Sequence, residues 1–361
     1  MLKPVPAFDK NVFTGEVPIE DPPASESKAN LKSFEHLRIT DQTAIPPVKV
    51  YISIDGHTIA TGGDLIAFSG GVKTGKSSIQ DPLISTAITT DGVINDPIDH
   101  IEVLSNPERK AVIHIDTEQS KGKHKEKVLN ILRRAKKSAC PEHFLSYNLR
   151  ELNLDEYKPI TTGIFEAAAT QFGGVHLAVI DGIADYISDP NDTAESNGIV
   201  KFFEQIAIKY ECPVLVIIHT NPNSDKERGN LGSQCIRKAA SVLSVKCEDD
   251  ISYLEPKYLR NAGRGKVPII EFTYDPEKCY HVSCGIRSND ASAKPKSHNS
   301  MLQNMVEKIF APPLALEYGE AIAEIMKYLD KAERTAKTRF SEIKTLGLIE
   351  QGADKNWRKK L

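Results

Sequence analysis

The most informative stretch of the chain is a glycine-rich segment with one lysine and one serine at fixed spacing. Gly70 is followed by four residues and then by Gly75, Lys76 and Ser77, directly after an apolar run that begins at Leu65. Glycines at these places let consecutive backbone N–H groups turn inward around an anion, and a helix that begins there adds its positive end. A strand, such a loop and a helix together form the phosphate-binding P-loop.

This P-loop predicts ATP and Mg²⁺ as the bound cofactors. Lys76 is expected to reach the β- and γ-phosphates, and Ser77 to offer its hydroxyl to Mg²⁺. The residues predicted to hold the phosphates are Gly70, Gly71, Val72, Lys73, Thr74, Gly75, Lys76, Ser77 and Ser78.

Composition limits the class of protein. With 361 residues, a hydrophobic content of 40% and a charged content of 26%, the chain is ordinary for a globular protein with two domains, or with one large domain and an appendage. It has no apolar run of 18 residues and no apolar signal core near Met1, so we expect a cytoplasmic protein with no membrane partner. The six cysteines are scattered, with no zinc-type spacing, and are expected to be reduced packing residues.

Apolar strands alternate with helix patterns after the P-loop, which predicts an α/β fold with a mainly parallel sheet covered by helices on both faces. Such sheets bind ligands at the carboxyl ends of their strands. Gly70, Glu118, Asp181 and His219 all fall there. After the strand that ends near Glu118, a basic amphipathic segment carries Val128, Ile131, Leu132 and Ala135 at helical spacing. Its charges are interpreted as a solvated helix face in preference to a nucleic-acid site.

Two acidic residues compete for the role of the carboxylate that supports the metal. Asp181 ends the apolar stretch VHLAVID, and Asp116 ends a similar stretch, AVIHID, with Glu118 close behind it. Both patterns are typical of a buried strand that delivers a carboxylate to a phosphate site, so spacing alone leaves the choice open.

The chain resembles the RecA-like superfamily and, within it, the RepA-like hexameric helicases and related ATPases of plasmids and mobile elements. The resemblance covers about 52–274 and rests on the P-loop, IDTE, VIDGIADYI, VIIHTNP and the basic stretch near Arg260. It implies that Glu118 is the general base for water and that Asp181 is the metal-side acid. It also implies that His219 senses the γ-phosphate or couples it to DNA-binding loops.

RecA-like rings complete each site with a cation from the neighbouring subunit, usually a Lys-x-Arg followed by glycine. Here Arg260 fits the arginine, but Tyr258 stands where the lysine is expected. Lys257, Arg260 and Arg264 therefore remain candidates, with Arg260 preferred. The resemblance also implies DNA contacts from the loop TNPNSDKERGNLGS, which offers Lys226, Arg228 and Asn230.

The predicted domains are an irregular arm over 1–47, the ATPase domain over 48–286, a polar linker over 287–300 and a C-terminal domain over 301–361. In the last of these, Tyr318, Ile322, Ile325 and Leu329 form one apolar helix face. A second helix, carrying Ala336, Phe340 and Ile343 on its core face, ends at Gly347 and precedes QGADKNWRKKL. This order resembles a winged helix-turn-helix with its wing.

Charge distribution favours DNA as the partner of the C-terminal domain. Residues 331–361 carry nine Lys/Arg and four Asp/Glu, a net charge of +5, whereas the whole chain has −3. Together with this charge, the family resemblance implies a DNA helicase or translocase that acts as a homo-oligomer, a hexamer, in replication or mobilisation of a plasmid or mobile element. The alternatives are a DNA-bound regulatory ATPase and a recombination ATPase, neither of which unwinds DNA.

Overall fold

The computed structural model describes residues 30–72, 74–221, 227–248, 250–263, 265–287, 296–312, 314–329 and 332–360. The chain divides into two compact units, Met1–Pro47 and Val48–Leu361. In the described part of the first unit, a short 3₁₀ helix spans Leu31–Leu37, and the Asn30 side chain caps it by accepting a hydrogen bond from the backbone N–H of Lys32 at 3.1 Å. Residues 1–29 of the predicted arm lie outside the described residues.

The second unit opens with a small antiparallel sheet. Strands β1 (Val50–Ile54) and β2 (His57–Thr61) form a hairpin, and β4 (Ile101–Val103) pairs with the other edge of β1. The turn residues Asp55 and Gly56 both have positive φ, 51° and 74°, as the Asp-Gly hairpin turn requires. This hairpin leads directly into the P-loop strand, which begins at Leu65.

A nine-stranded sheet forms the centre of this unit. Its parallel strands are β3 (Leu65–Gly70), β5 (Ala111–Asp116), β6 (Phe144–Asn148), β7 (Val175–Asp181), β8 (Val214–His219) and β9 (Ser241–Glu248). An antiparallel extension follows, with β10 (Ile251–Leu259), β11 (Ile269–Asp275) and β12 (Tyr280–Arg287). The spatial order is β12-β11-β10-β9-β3-β8-β7-β5-β6. The P-loop strand therefore lies in the interior of the sheet, and β8 separates it from β7.

Five helices cover the two faces of the sheet, namely α1 (Lys76–Ala87), α2 (Lys121–Arg134), α3 (Leu154–Phe172), α4 (Thr193–Tyr210) and α5 (Gly229–Lys238). Alternate residues of β3 enter different cores: Ile66 and Phe68 pack with α1 and α2, whereas Leu65 and Ala67 pack with α3, α4 and α5. A strand buried on both faces explains the continuous apolar runs in the sequence. The predicted α/β fold, with a mainly parallel sheet covered by helices, is confirmed.

The C-terminal part has its own apolar core. Helices α6 (Lys296–Ile309), α7 (Tyr318–Leu329) and α8 (Glu333–Thr345) precede the hairpin of β13 (Ile349–Gln351) and β14 (Trp357–Lys359). Helix α8 ends in a Schellman motif, because Gly347 has φ 67° and the backbone N–H of Leu348 donates to the carbonyl of Ile343 at 2.9 Å. Helix α6 begins inside the range predicted as a linker, and 288–295 lie outside the described residues.

No helix within the described ranges combines the length and the apolar character that a bilayer-spanning segment requires. The six cysteines are all free.

Candidate active site

The P-loop connects β3 to α1 with the geometry that a phosphate cradle needs. Gly75 caps α1 with φ 92°, a conformation that L side chains rarely adopt. At Gly70 a side chain is excluded by space, because a Cβ there would lie 2.4 Å from the carbonyl oxygen of Val245. Thr74 stabilises the turn by donating its hydroxyl to the Gly71 carbonyl at 3.0 Å. Lys73 lies outside the described residues.

The side chain of Lys76 is folded back onto its own loop. Its ammonium donates to the carbonyls of Gly70 at 2.8 Å and Gly71 at 2.5 Å, and Nζ lies 3.4 Å from Nδ1 of His219. Burial lowers the pKa of Lys76, and the carboxylate of Glu118 partly offsets this effect. A phosphate group would supply stronger acceptors than these carbonyls, so the contacts are ones that an anionic ligand can replace.

Glu118 and His219 meet although they come from different strands. Oε1 of Glu118 lies 3.0 Å from Nε2 of His219, and about a third of each side chain is exposed. The backbone of Glu118 is fixed by Asp116, whose Oδ1 accepts hydrogen bonds from the N–H groups of Glu118 at 3.0 Å and Gln119 at 2.8 Å. Lys76, His219 and Glu118 thus form a continuous polar chain across the end of the sheet.

Asp181 and Asp116 lie on paired positions of adjacent strands but have different environments. Asp181 lines the cavity beside the P-loop, whereas Asp116 is fully buried behind it. Burial raises the pKa of Asp116. For Asp181, burial is outweighed by Lys127 and Gln80, which hold its pKa below the usual range. The geometry therefore favours Asp181 over Asp116 as the carboxylate offered to a ligand.

A cavity of about 800 Å³ brings most of these residues together; we call it the P-loop cavity. From the predicted site it contains Val72, Thr74, Gly75, Lys76, Ser77, Glu118, Asp181 and His219. The sequence did not indicate its opposite end, which is formed by Cys247, Asp250, Ser252, Thr273, Tyr274, Pro276, His281 and Leu329. These residues come from the end of β9, from the antiparallel extension with its connecting turns, and from α7. The volume lies within the range of small-molecule sites.

Arg260 does not line the P-loop cavity. The preceding residue, Leu259, pairs with Ser241, the first residue of β9, whereas the cavity lies where the parallel strands end. Arg260 is exposed, and its guanidinium donates to the carbonyl of Lys238 at 3.2 Å. Lys257 instead forms an ion pair of 2.7 Å with the buried Glu227. Arg264 lies outside the described residues.

The candidate DNA-binding residues are only partly described. Lys226 falls within 222–226, outside the described residues, whereas Arg228 is exposed at the start of α5. The amide of Asn230 is not directed to solvent alone, because it donates to the hydroxyl of Thr193 at 3.0 Å.

Several basic side chains of the C-terminal part form ion pairs with nearby carboxylates. Lys359 contacts Glu307 of α6 at 2.5 Å, and Arg358 contacts Asp354 at 2.7 Å. Two similar pairs join Lys337 to Glu333 at 2.8 Å and Arg339 to Glu342 at 3.0 Å. Arg334, Lys344, Lys355 and Lys360 are exposed.

The interpretation of α2 as a helix with a solvated charged face is wrong at three positions. His124, Lys127 and Arg134 are buried, at 5%, 8% and 1% exposure. Each lies three or four residues from Ile131 or from another buried member of the helix, so their positions on the apolar face were the available signal. Their partners could not be read from the helix itself.

Comparison with known proteins does not assign the chain to a family. No protein-family model matches it, and neither does any curated protein sequence. Among solved structures, a KaiC-like protein from the archaeon Pyrococcus horikoshii is 12% identical with a TM-score of 0.44, over 62% of this chain and 90% of its own. An ATPase domain is 11% identical with a TM-score of 0.41, over 61% of this chain and 84% of its own. The class of protein is therefore defined by the strand order and the P-loop of the chain itself: an α/β P-loop fold.

Proposed function

We propose that this protein hydrolyses ATP with Mg²⁺ and works on DNA as an oligomeric helicase or translocase in replication or mobilisation of a plasmid or mobile element. One observation carries the hydrolase part of the proposal. Lys76, Ser77, Glu118 and Asp181, delivered by three separate strand ends, line a single cavity of about 800 Å³. A phosphate clamp, an oxygen donor for metal and two carboxylates are the groups that phosphoryl transfer to water requires.

The residues present suit Mg²⁺, which prefers oxygen ligands. Ser77 and Asp181 would hold the ion, and its role there is to neutralise charge on the β- and γ-phosphates. Lys76 would exchange the loop carbonyls for phosphate oxygens. Glu118 would take the proton of the attacking water, and His219, which contacts both Lys76 and Glu118, would relate phosphate binding to the base.

Oligomerisation would complete the site. Because Arg260 is exposed and lies away from its own P-loop cavity, its guanidinium can stabilise a γ-phosphate only in a neighbouring copy of the chain. A homo-oligomer, specifically a hexameric ring, suits this arrangement. Lys257 is already paired with Glu227, so Arg260 is the preferred residue for this role.

The C-terminal part, with three helices and a terminal hairpin, would bind DNA as a winged helix. Its exposed cations Arg334, Lys344 and Lys360 support phosphate contacts. The ion pair of Lys359 with Glu307 makes Lys359 a weaker candidate than Lys360.

A second candidate function is a regulatory or recombination ATPase that changes its assembly with nucleotide and does not unwind DNA. The observation that favours it is Tyr258, which stands where a lysine is expected. Of the two cations in the expected Lys-x-Arg pattern, this chain therefore has only the arginine, Arg260. Slower hydrolysis would suit a switch better than a motor.

The hydrolase assignment is tested with Lys76→Ala. Loss of the phosphate clamp is expected to lower ATP turnover at least about a hundredfold. Lys125→Ala, which changes an exposed lysine of α2, is the matched control and should keep wild-type turnover. Near wild-type turnover in a folded Lys76→Ala protein would refute the proposal. Mass photometry with ATP and single-stranded DNA separates the candidate functions. A six-fold ring would favour a helicase, a filament would favour a recombination ATPase, and a dimer would favour a regulatory ATPase.

A further inference from the structure

A buried lysine holds Asp181 from the side opposite the P-loop cavity. Nζ of Lys127 donates to Oδ2 of Asp181 at 3.0 Å and to Oε1 of Gln80 at 2.8 Å. The amide of Gln80 in turn donates to the same Oδ2 at 3.2 Å. The three side chains form a closed triangle that joins α2, α1 and β7.

The triangle leaves part of Asp181 available to the cavity. Asp181 lines the P-loop cavity, but neither Lys127 nor Gln80 does. Both donors engage one oxygen, Oδ2, and the second oxygen of the carboxylate keeps its lone pairs for a ligand. Lys127 is 8% exposed and Gln80 is fully buried, so water does not compete for these hydrogen bonds.

A purely stabilising ion pair does not account well for this cluster. Burying two charges costs more free energy than an apolar pair of the same size. The surroundings are also incompletely satisfied, since Oδ2 of Asp116 and Nε2 of His114 are buried and have no hydrogen-bond partner among the residues that the structure describes. His114, Asp116 and Asp181 each place one atom that could bind a metal ion within 4.8 Å of the others. Such a group is stabilised by a nearby positive charge. Incomplete satisfaction beside a reaction site is typical of residues kept for function.

The triangle also connects the two expected metal ligands. Gln80 lies three residues after Ser77, one helical turn further along α1. Fixing Gln80 to Asp181 therefore fixes the start of α1 relative to the end of β7. Lys127 supplies the charge and the second hydrogen bond that keep this distance.

We propose that Lys127 is a positioning residue, which orients the carboxylate of Asp181 toward Mg²⁺ and holds it at a set distance from Ser77. The inference rests on the proposed function and deepens it. Outer hydrogen-bond partners of metal-binding carboxylates orient the ligand, and their loss costs about 10- to 100-fold in metal affinity or activity.

The test is Lys127→Met, which keeps an unbranched side chain and removes the charge and the donors. Mg²⁺ is titrated at fixed ATP, and the midpoint of the activity curve is measured. We expect this midpoint to rise about tenfold, while binding of a fluorescent ATP analogue in EDTA stays unchanged. Partial unfolding would lower the amplitude of the curve and leave its midpoint in place. The matched control is Lys125→Met, two residues away on the exposed face of α2.

An unchanged midpoint in Lys127→Met would overturn the inference, and so would a lower one, which would mean that Lys127 repels the ion. If Lys127→Met does not fold, Gln80→Met removes the other donor to Oδ2 and should raise the midpoint in the same direction; a wild-type midpoint there would refute the positioning role. Failure of the proposed function is distinguishable, because it would leave the wild-type chain and the Lys125→Met control both without ATP hydrolysis at every Mg²⁺ concentration.

Discussion

Glu118→Gln separates catalysis from binding. The substitution removes the charge and basicity of the side chain but keeps its length and one carbonyl oxygen. That oxygen can still accept a hydrogen bond from Nε2 of His219, now 3.0 Å from Oε1. Because about a third of the Glu118 side chain is exposed, the fold should be unaffected.

The expected magnitude follows from the role of a general base. Proton transfer to a positioned side chain contributes about 10²- to 10⁴-fold in rate, equivalent to about 3–5 kcal/mol of activation free energy. Neither Lys76 nor Ser77 is altered, so ATP and Mg²⁺ should bind Glu118→Gln within about threefold of wild type.

The assay measures single-turnover hydrolysis together with equilibrium binding of ATP at several Mg²⁺ concentrations. Two variants of the rival carboxylates are compared with Glu118→Gln. Asp116→Asn keeps an acceptor for the backbone N–H groups of Glu118 and Gln119, so its loss of rate should be smaller. Asp181→Asn should weaken the Mg²⁺-dependent component of binding itself. The reasoning is refuted if Glu118→Gln turns over ATP like wild type, or if Asp116→Asn shows the slow, tight-binding behaviour instead.

Three further predictions concern other parts of the chain. Burial raises the pKa of Asp81 from 3.8 to about 7. Between these pH values the folded state keeps a proton that the unfolded state has lost. The free energy of unfolding should therefore fall by up to about 4 kcal/mol as the pH rises from 4 to 7. Urea denaturation of Asp81→Asn should show a flatter dependence, and an unchanged one would contradict this cause. Mixing Arg260→Ala chains with Lys76→Ala chains should restore some ATPase activity at interfaces that combine an intact P-loop with an intact arginine; no recovery in confirmed assemblies would argue against a shared site. Lys360→Ala in the full chain should reduce the slope of log affinity for duplex DNA against log salt by about 0.9, whereas Lys327→Ala, on α7, should not; equal slopes would remove Lys360 from the interface.

Local patterns made the phosphate end of the site predictable. The P-loop is a contiguous motif, and Asp181 and His219 each follow an apolar strand, so the rule that parallel strands present their carboxyl ends together was sufficient to group them. The hairpin at Asp55 and Gly56 was equally local, because its turn residues require positive φ.

Contacts between distant segments were not predictable in this way. The partner of Lys127, Asp181, is 54 residues away in the chain, and nothing in the α2 pattern distinguishes a buried lysine from an exposed one except its face. The far end of the P-loop cavity depends on how β10, β11 and β12 extend the sheet. The alternating pattern of short strands does not specify which strands pair or in which register. The pairing of Lys359 with Glu307 likewise depends on the packing of the terminal hairpin against α6.

Leu329 gives the P-loop cavity a wall from the C-terminal part, although that part has its own core. Affinities measured at such a shared surface obey thermodynamic linkage. If a nucleotide in this cavity contacts Leu329, a ligand that displaces α7 changes the free energy of nucleotide binding, and the nucleotide changes the affinity for that ligand by the same factor. A fragment that ends at Arg287 lacks Leu329, so its nucleotide affinity would then differ from that of the full chain by the energy of this contact.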